Sequence, residues 1–145
     1  MSWAARVTVA AIVPRDNALL FVEEWDQERL VINQPAGHLE PGESLLDAVV
    51  RETREETCWL VEPNYLVGVY RWVHTNGDTY LRFTFACRPL MEDPVSERDA
   101  DIQRVLWLTA DDARSHRARS PLVRRAVEDY LAGQRHDLGC LVDVP

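Results

Sequence analysis

The sequence predicts an α/β protein, an α/β/α sandwich on a mixed β-sheet, with residues 1–145 forming one domain. Three observations lead there. β-Branched and alternating runs fill the chain before residue 33 and again between 66 and 108. A stretch free of Gly and Pro, with helical periodicity, stands between them, and a second helical stretch follows the last strand run. Strands, helix, strands, helix is the order expected of a sheet covered on both faces.

Taken in order, Arg6 to Pro14 (RVTVAAIVP) reads as a buried strand. Asp16-Asn17 supplies a turn and Ala18 to Glu23 a second strand, so the two predict a hairpin. Trp25 to Glu28 is polar and loop-like, and Leu30-Val31-Ile32 is a short strand leading to Asn33-Gln34-Pro35-Ala36-Gly37. Two glycines and a proline between Gly37 and Gly42 exclude a helix there. Ser44 is an N-cap, and Asp47 three residues on completes a capping box with the shorter acid. Leu66 to His74 and Thr79 to Cys87 flank an Asn76-Gly77 hairpin signal. In the returning arm Leu81, Phe83 and Phe85 alternate with Arg82 and Thr84, which predicts one buried and one exposed face. Pro89 to Ala100 is a polar, acidic loop, and Asp101 to Leu108 a strand with Ile102, Val105 and Trp107 in the core. Ala110 to Ala113 starts a short helix. Ser120-Pro121 opens a longer one whose apolar face runs from Leu122 to Leu131, and Gly133 stops it. The segment from Gln134 to Pro145 carries no clear pattern.

The central helix carries the chemistry. At about 100° per residue, Leu45, Leu46, Ala48, Val49 and Val50 cover one broad arc, while Asp47, Arg51 and Arg54 fall opposite. Glu52 and Glu56 fall on the apolar arc, one turn apart, and Glu55 lies at its edge beside Ala48. Burying carboxylates is expensive without compensation, and like charges four residues apart repel. Three acids within two turns therefore ask for a cation. Hard divalent ions take oxygen ligands, and Mg²⁺ typically sits between a few carboxylates and substrate phosphates.

Gly37, five residues, Glu43, seven residues, Arg51-Glu52, two residues and Glu55-Glu56 together resemble the Nudix box, the signature of metal-dependent hydrolases of linked nucleoside diphosphates. With each residue type at roughly one position in fifteen, such a match arises by chance about once in 10⁷ windows. Three positions depart from the pattern: Thr53 replaces an aliphatic residue, Cys58 the usual glycine after the acids, and Trp59 a smaller aliphatic. None removes a charged group. Outside the box, Asn33 to Glu40, Leu81-Arg82-Phe83, Asp99 to Ile102 ahead of Trp107, and Arg119 to Val123 resemble the NudJ-like phosphatase branch, so the likeness covers roughly residues 5 to 138. It implies the Nudix sandwich fold. It also implies Mg²⁺ (with Mn²⁺ as a substitute) and hydrolysis of nucleoside tri- or diphosphates or of the pyrophosphate of the thiamine pyrimidine precursor.

On this reading Gly37, through its carbonyl, and Glu52, Glu55 and Glu56 hold the metal. Glu55 is also a candidate base for the attacking water, a role the resemblance leaves open among the acids. Arg51, expected on the opposite side of the helix, pairs with Glu43 or Asp47 and orients the loop. Asp101 matches a position where the family places a further acid near the metals, with Glu97 and Asp99 as competitors. His38 is a candidate phosphate contact and Arg82 a phosphate clamp. Arg71 and Trp72 are candidates for holding a base or pyrimidine ring, core packing being the alternative for Trp72. The expected chemistry is in-line attack of metal-activated water at phosphorus, without a covalent intermediate.

Composition sets the outer bounds. Hydrophobic content of 46% and charged content of 28% are those of a soluble globular protein. A net charge of −8 argues against nucleic acid as partner, because duplex binding rests on Lys and Arg contacts to phosphate. It disfavours, without removing, an RNA 5′-end or dinucleoside polyphosphate hydrolase. A catalytically silent Nudix domain acting as a ligand-binding regulator would be expected to lack a box acid, and all are present. Cys58, Cys87 and Cys140 form neither a disulfide framework nor a zinc pattern, so a reducing cytoplasmic setting is expected. The run from Trp3 to Val13 is too short and polar to span a membrane. The expected partner is a small phosphorylated molecule, and the expected state a monomer or homodimer.

Overall fold

Two four-stranded sheets and three α-helices make up the architecture, in a computed structural model that describes residues 2–145. The strands are β1 (Arg6–Ile12), β2 (Pro14–Arg15), β3 (Ala18–Asp26), β4 (Arg29–Asn33), β5 (Ala36–His38), β6 (Trp59–Val73), β7 (Thr79–Glu92) and β8 (Ile102–Leu108). The helices are α1 (Leu45–Thr57), α2 (Ala110–Arg114) and α3 (Pro121–Leu131). One sheet is mixed, in the order β5-β1-β7-β6 with β1 and β7 parallel. The other is antiparallel, with β3 central between β8 and β4 and with β2 on β3.

β1 is buried on both faces, as its unbroken β-branched run requires. Val9, Ala11 and Val13 join Ala48 and Val49 of α1 in one core cluster, whereas Ile12 joins Val123 and Ala126 of α3 in the other. Period-2 alternation along one strand thus feeds the two layers of the sandwich. The expected hairpin of Arg6–Pro14 with Ala18–Glu23 is mostly absent. β1 pairs with β5 and β7 instead, and only Pro14–Arg15 pairs with the start of β3, across a turn in which Asp16 has φ 55°. A strand buried on both faces gains more as a sheet interior than as one arm of a ribbon. Trp25 and Asp26, expected in a loop, continue β3, and the hairpin arms of β6 and β7 run well beyond the predicted ends.

The two faces of β7 also differ from expectation. Arg82 and Thr84, expected to be exposed, are buried: their face is the one on which Ile12 joins the α3 cluster, and Arg82 lies at the floor of a cleft on it.

α1 begins as predicted. Ser44 accepts a hydrogen bond from the Asp47 N–H at 3.1 Å. Its departures from the family pattern have local explanations. Thr53 is fully buried but donates its hydroxyl to the Val49 carbonyl at 2.7 Å, leaving no unpaired polar atom. Cys58 closes the helix at φ 65°, its N–H bonded to the Arg54 carbonyl at 2.8 Å. Trp59 packs edge-on against Trp107 with centroids 5.4 Å apart, and the Arg15 guanidinium lies over both rings. Left-handed backbone costs an L-residue roughly 1–2 kcal/mol relative to glycine. Cys58→Gly is therefore expected to raise stability in equilibrium urea denaturation by about 1 kcal/mol. A loss of stability would mean that the Cys58 thiol contact to the Ser96 carbonyl outweighs the backbone term.

Candidate active site

The acids of α1 meet the Gly37 turn through two different contacts. Glu56 is largely buried, and its Oε1 accepts a hydrogen bond from the Ala36 N–H at 2.9 Å. Burial is the main reason its pKa is pushed up to about 8, with the negative fields of Glu24, Glu52 and Asp99 adding to the effect. Glu52 lies directly over Gly37, so closely that a Cβ on that residue would overlap the carboxylate. The pKa of Glu52 is also raised, by burial first, against the opposing pull of Arg51.

Arg51 is the hub of this region. Its Nε and Nη2 bind the two Glu43 oxygens at 2.6 and 2.9 Å, and Nη1 reaches Glu52 at 2.8 Å and Glu55 at 3.1 Å. Nη2 also donates to the His38 carbonyl, and Glu40 lies 3.6 Å away. The expected Arg51–Glu43 pair is present, but the guanidinium is not on the far side of the helix. A helical wheel places Cβ directions, and a side chain as long as arginine carries its charge around to the acidic side. Glu43 is held below the usual carboxylate range by this pairing.

Glu52, Glu56 and Gly37 line a cleft of about 790 Å³ together with Asp101, His38, Trp72 and Arg82. The NUDIX domain model matches residues 4–130, a span that contains the glycine turn, the Glu-rich helix and the acids beneath the cleft. The chain belongs to the Nudix family. Phosphatase NudJ from Escherichia coli (strain K12) is 36% identical to this Nudix hydrolase over 138 residues, 94% of this chain and 90% of that one. A NUDIX hydrolase from Nitrosomonas europaea is 43% identical at a TM-score of 0.93, covering 97% of this chain and 98% of its own. An ADP-ribose pyrophosphatase from Streptococcus suis, at 18% identity and a TM-score of 0.70 over 92% and 95% of the two chains, shares the fold.

Not every candidate of the Nudix hydrolase enters the cleft. Glu55 is two-fifths exposed, pairs with Arg51 and does not line it. Arg71 is exposed and stands in register with Leu81, on the opposite face of β6 from Trp72, so strand alternation turns it away. Trp72 lies 5.7 Å from the Tyr80 ring and 5.1 Å from His74, at the cleft wall rather than in the core. Asp101 lines the cleft, and Glu97 does not. Asp99 docks on α1 through its N–H to the Glu55 carbonyl at 2.9 Å and acts on Glu52 and Glu56 through its field. His38 has its pKa lowered by partial burial and then by the charges of Arg6 and Arg82.

Glu24, Tyr80, His74 and Asn33 also line the cleft and were not singled out from sequence. The extension of β3 past Glu23 carries Glu24 there, and the pairing of Tyr80 with Trp72 across the hairpin was the one readable signal among them.

Among the described residues no three carboxylate, imidazole or thiol groups already converge on one point. Glu52 is turned toward Arg51, and Glu56 toward Ala36 N–H. The donor set nevertheless fits a hard divalent cation: all oxygen, largely out of water, with Glu56 lacking any cationic partner within ion-pairing distance among the described residues.

A carboxyl whose folded pKa is raised from 4.5 to about 8 keeps its proton in the folded state while the unfolded chain has lost it. Its contribution to stability is whole below pH 4.5 and is lost as pH rises to about 8. In EDTA, the melting temperature of the protein is expected to fall across that window, and Glu56→Gln to flatten the fall and melt higher at pH 8. Parallel curves for the two proteins would contradict the assignment.

Proposed function

We propose that this Nudix hydrolase cleaves a phosphoanhydride bond in a small phosphorylated substrate, a nucleoside tri- or diphosphate or hydroxymethylpyrimidine pyrophosphate, with Mg²⁺. The observation that carries the reading is the pair Glu52 and Glu56, held out of water against Gly37 and the Ala36 N–H respectively, with no cation on Glu56 among the described residues. Likeness to phosphatase NudJ over almost the whole chain supports the substrate class.

Glu52, Glu56 and the Gly37 carbonyl would hold the ion, and Glu55 would join them on leaving Arg51. A divalent ion bound there supplies a water of lowered pKa and offsets charge on the phosphoryl oxygens. The protein residues do the rest. Arg51 fixes the helix and the turn relative to one another. Asp101, at the cleft edge just before β8, is the acid free to accept a proton from an attacking water. Glu55 is the competitor for that role, and its pairing with Arg51 weighs against it. His38 stands at the rim to meet a phosphoryl oxygen. Trp72, flanked by Tyr80 and His74, offers a flat apolar surface for a heteroaromatic ring.

The deciding experiment is a screen of nucleoside di- and triphosphates, dinucleoside polyphosphates and thiamine-pathway pyrophosphates with Mg²⁺, separating phosphate from pyrophosphate release. Glu56→Gln is expected to lower kcat by at least about 10² while the circular dichroism spectrum is retained. Unchanged turnover would refute the ligand assignment. Trp72→Ala is expected to raise KM for ring-bearing substrates and leave that for inorganic pyrophosphate unchanged. Equal effects on both would return Trp72 to a packing role.

A further inference from the structure

Arg82 is a buried cation without a counter-ion among the described residues. It stands in β7 in a transverse row with Thr8 of β1, His38 of β5 and Tyr70 of β6, on the sheet face that floors the cleft. Only 9% of the residue is exposed, and no ion pair among the described residues includes it. Its two side-chain contacts are long and go to neutral oxygens: Nε to Thr8 Oγ1 and Nη1 to Asn33 Oδ1, both 3.4 Å.

The acids nearby are committed elsewhere. Glu24 pairs with Arg119 at 2.9 Å, and Glu56 accepts from the Ala36 N–H. Burial lowers the pKa of Arg82 only to about 10, so the guanidinium stays charged at neutral pH. A buried charge with no partner weakens a fold, and a structural role would be filled better by an apolar side chain or a paired one. A planar fork of N–H donors at the floor of a cleft matches a phosphoryl oxyanion.

We propose that Arg82 is the receptor of a phosphate subsite on the cleft floor, separate from the Glu52–Glu56 side, with Arg119 at its rim. The cleft then has an acidic pole for the phosphoryl group under attack and a basic pole for its neighbour. A substrate with two or more linked phosphoryl groups spans both, and a monophosphate ester does not. The selection among substrates rests on the hydrolase reading above. The subsite itself does not, since Arg82 is poised in the metal-free protein. The negative field of Glu56 is the largest Coulombic support Arg82 receives. Glu56 keeps its proton at neutral pH, so Glu56→Gln leaves the charge around Arg82 nearly unchanged.

The test is binding of inorganic pyrophosphate to the full chain in EDTA, by titration calorimetry, so that no turnover is involved. The wild type is expected to bind, Arg82→Gln to bind at least about tenfold more weakly, and Glu56→Gln to bind as well as the wild type. Asn33→Asp decides the matter if Arg82→Gln fails to fold. It places a carboxylate 3.4 Å from the guanidinium, so it should melt higher than the wild type and yet lose pyrophosphate by a similar factor. If Arg82 were only structural, Asn33→Asp would stabilise the fold and leave binding unchanged. Absence of binding by the wild type, or equal binding by Arg82→Gln or Asn33→Asp, overturns the proposal. If Glu56→Gln keeps full turnover while pyrophosphate binding still depends on Arg82, the hydrolase assignment falls and the subsite stands.

Discussion

One guanidinium holds the turn, the helix and the acids together. Arg51 binds both oxygens of Glu43, one each of Glu52 and Glu55, and the His38 carbonyl. Without it, three carboxylates on two turns of α1 would face one another and the acids of the Gly37–Glu43 turn. With it, the repulsion becomes a scaffold and Glu52 is held against Gly37, where only a residue without Cβ fits. Arg51 satisfies the outer acids and stops there. Glu56, one turn further and deeper, receives only a backbone N–H. That division makes Glu56 the group most in need of an outside charge.

The same division runs through the cleft. Glu24 and Arg119 neutralise each other at its edge, and Glu23 and Arg104 do so on the neighbouring strand. Glu56, which keeps its proton at neutral pH, and Arg82, which stays charged, are left on its floor, each without an ion-pair partner among the described residues. Neutral spacers separate them, with Asn33 and Thr8 on the side of Arg82 and the Ala36 backbone on the side of Glu56. Trp72, Tyr80 and His74 close one wall with rings. The polarity of the site is thus set by which charges the fold leaves unpaired.

Much of this was legible in the chain because the box is local. Its glycine, arginine and glutamates lie within twenty residues, and helical geometry converts their spacing into a face. Ser44 and Ser120-Pro121 mark the helix starts for the same reason. What stayed hidden depends on long-range pairing or on side-chain length. The reach of Arg51 is invisible on a wheel of Cβ directions. The burial of Arg82 requires knowing that both faces of β7 are covered, and alternation alone shows only that the faces differ. Glu24 enters the cleft because β3 runs three residues past its predicted end, and β1 leaves the expected hairpin because β5 and β7 compete for its edges. Arg71 misses the cleft through the strand period that brings Trp72 into it.

The central claim is that Glu56 waits for a cation, and counting protons tests it most directly. At pH 7 a carboxyl with a pKa of about 8 is mostly protonated, so an ion that binds it must displace that proton. Calorimetric titration with Mg²⁺ at pH 7, in buffers of different ionisation enthalpy, should show release of about one proton per protein. The release should vanish in Glu56→Gln and diminish in the wild type at pH 9. Mg²⁺ binding without proton release at pH 7, or release that persists in Glu56→Gln, would contradict the account.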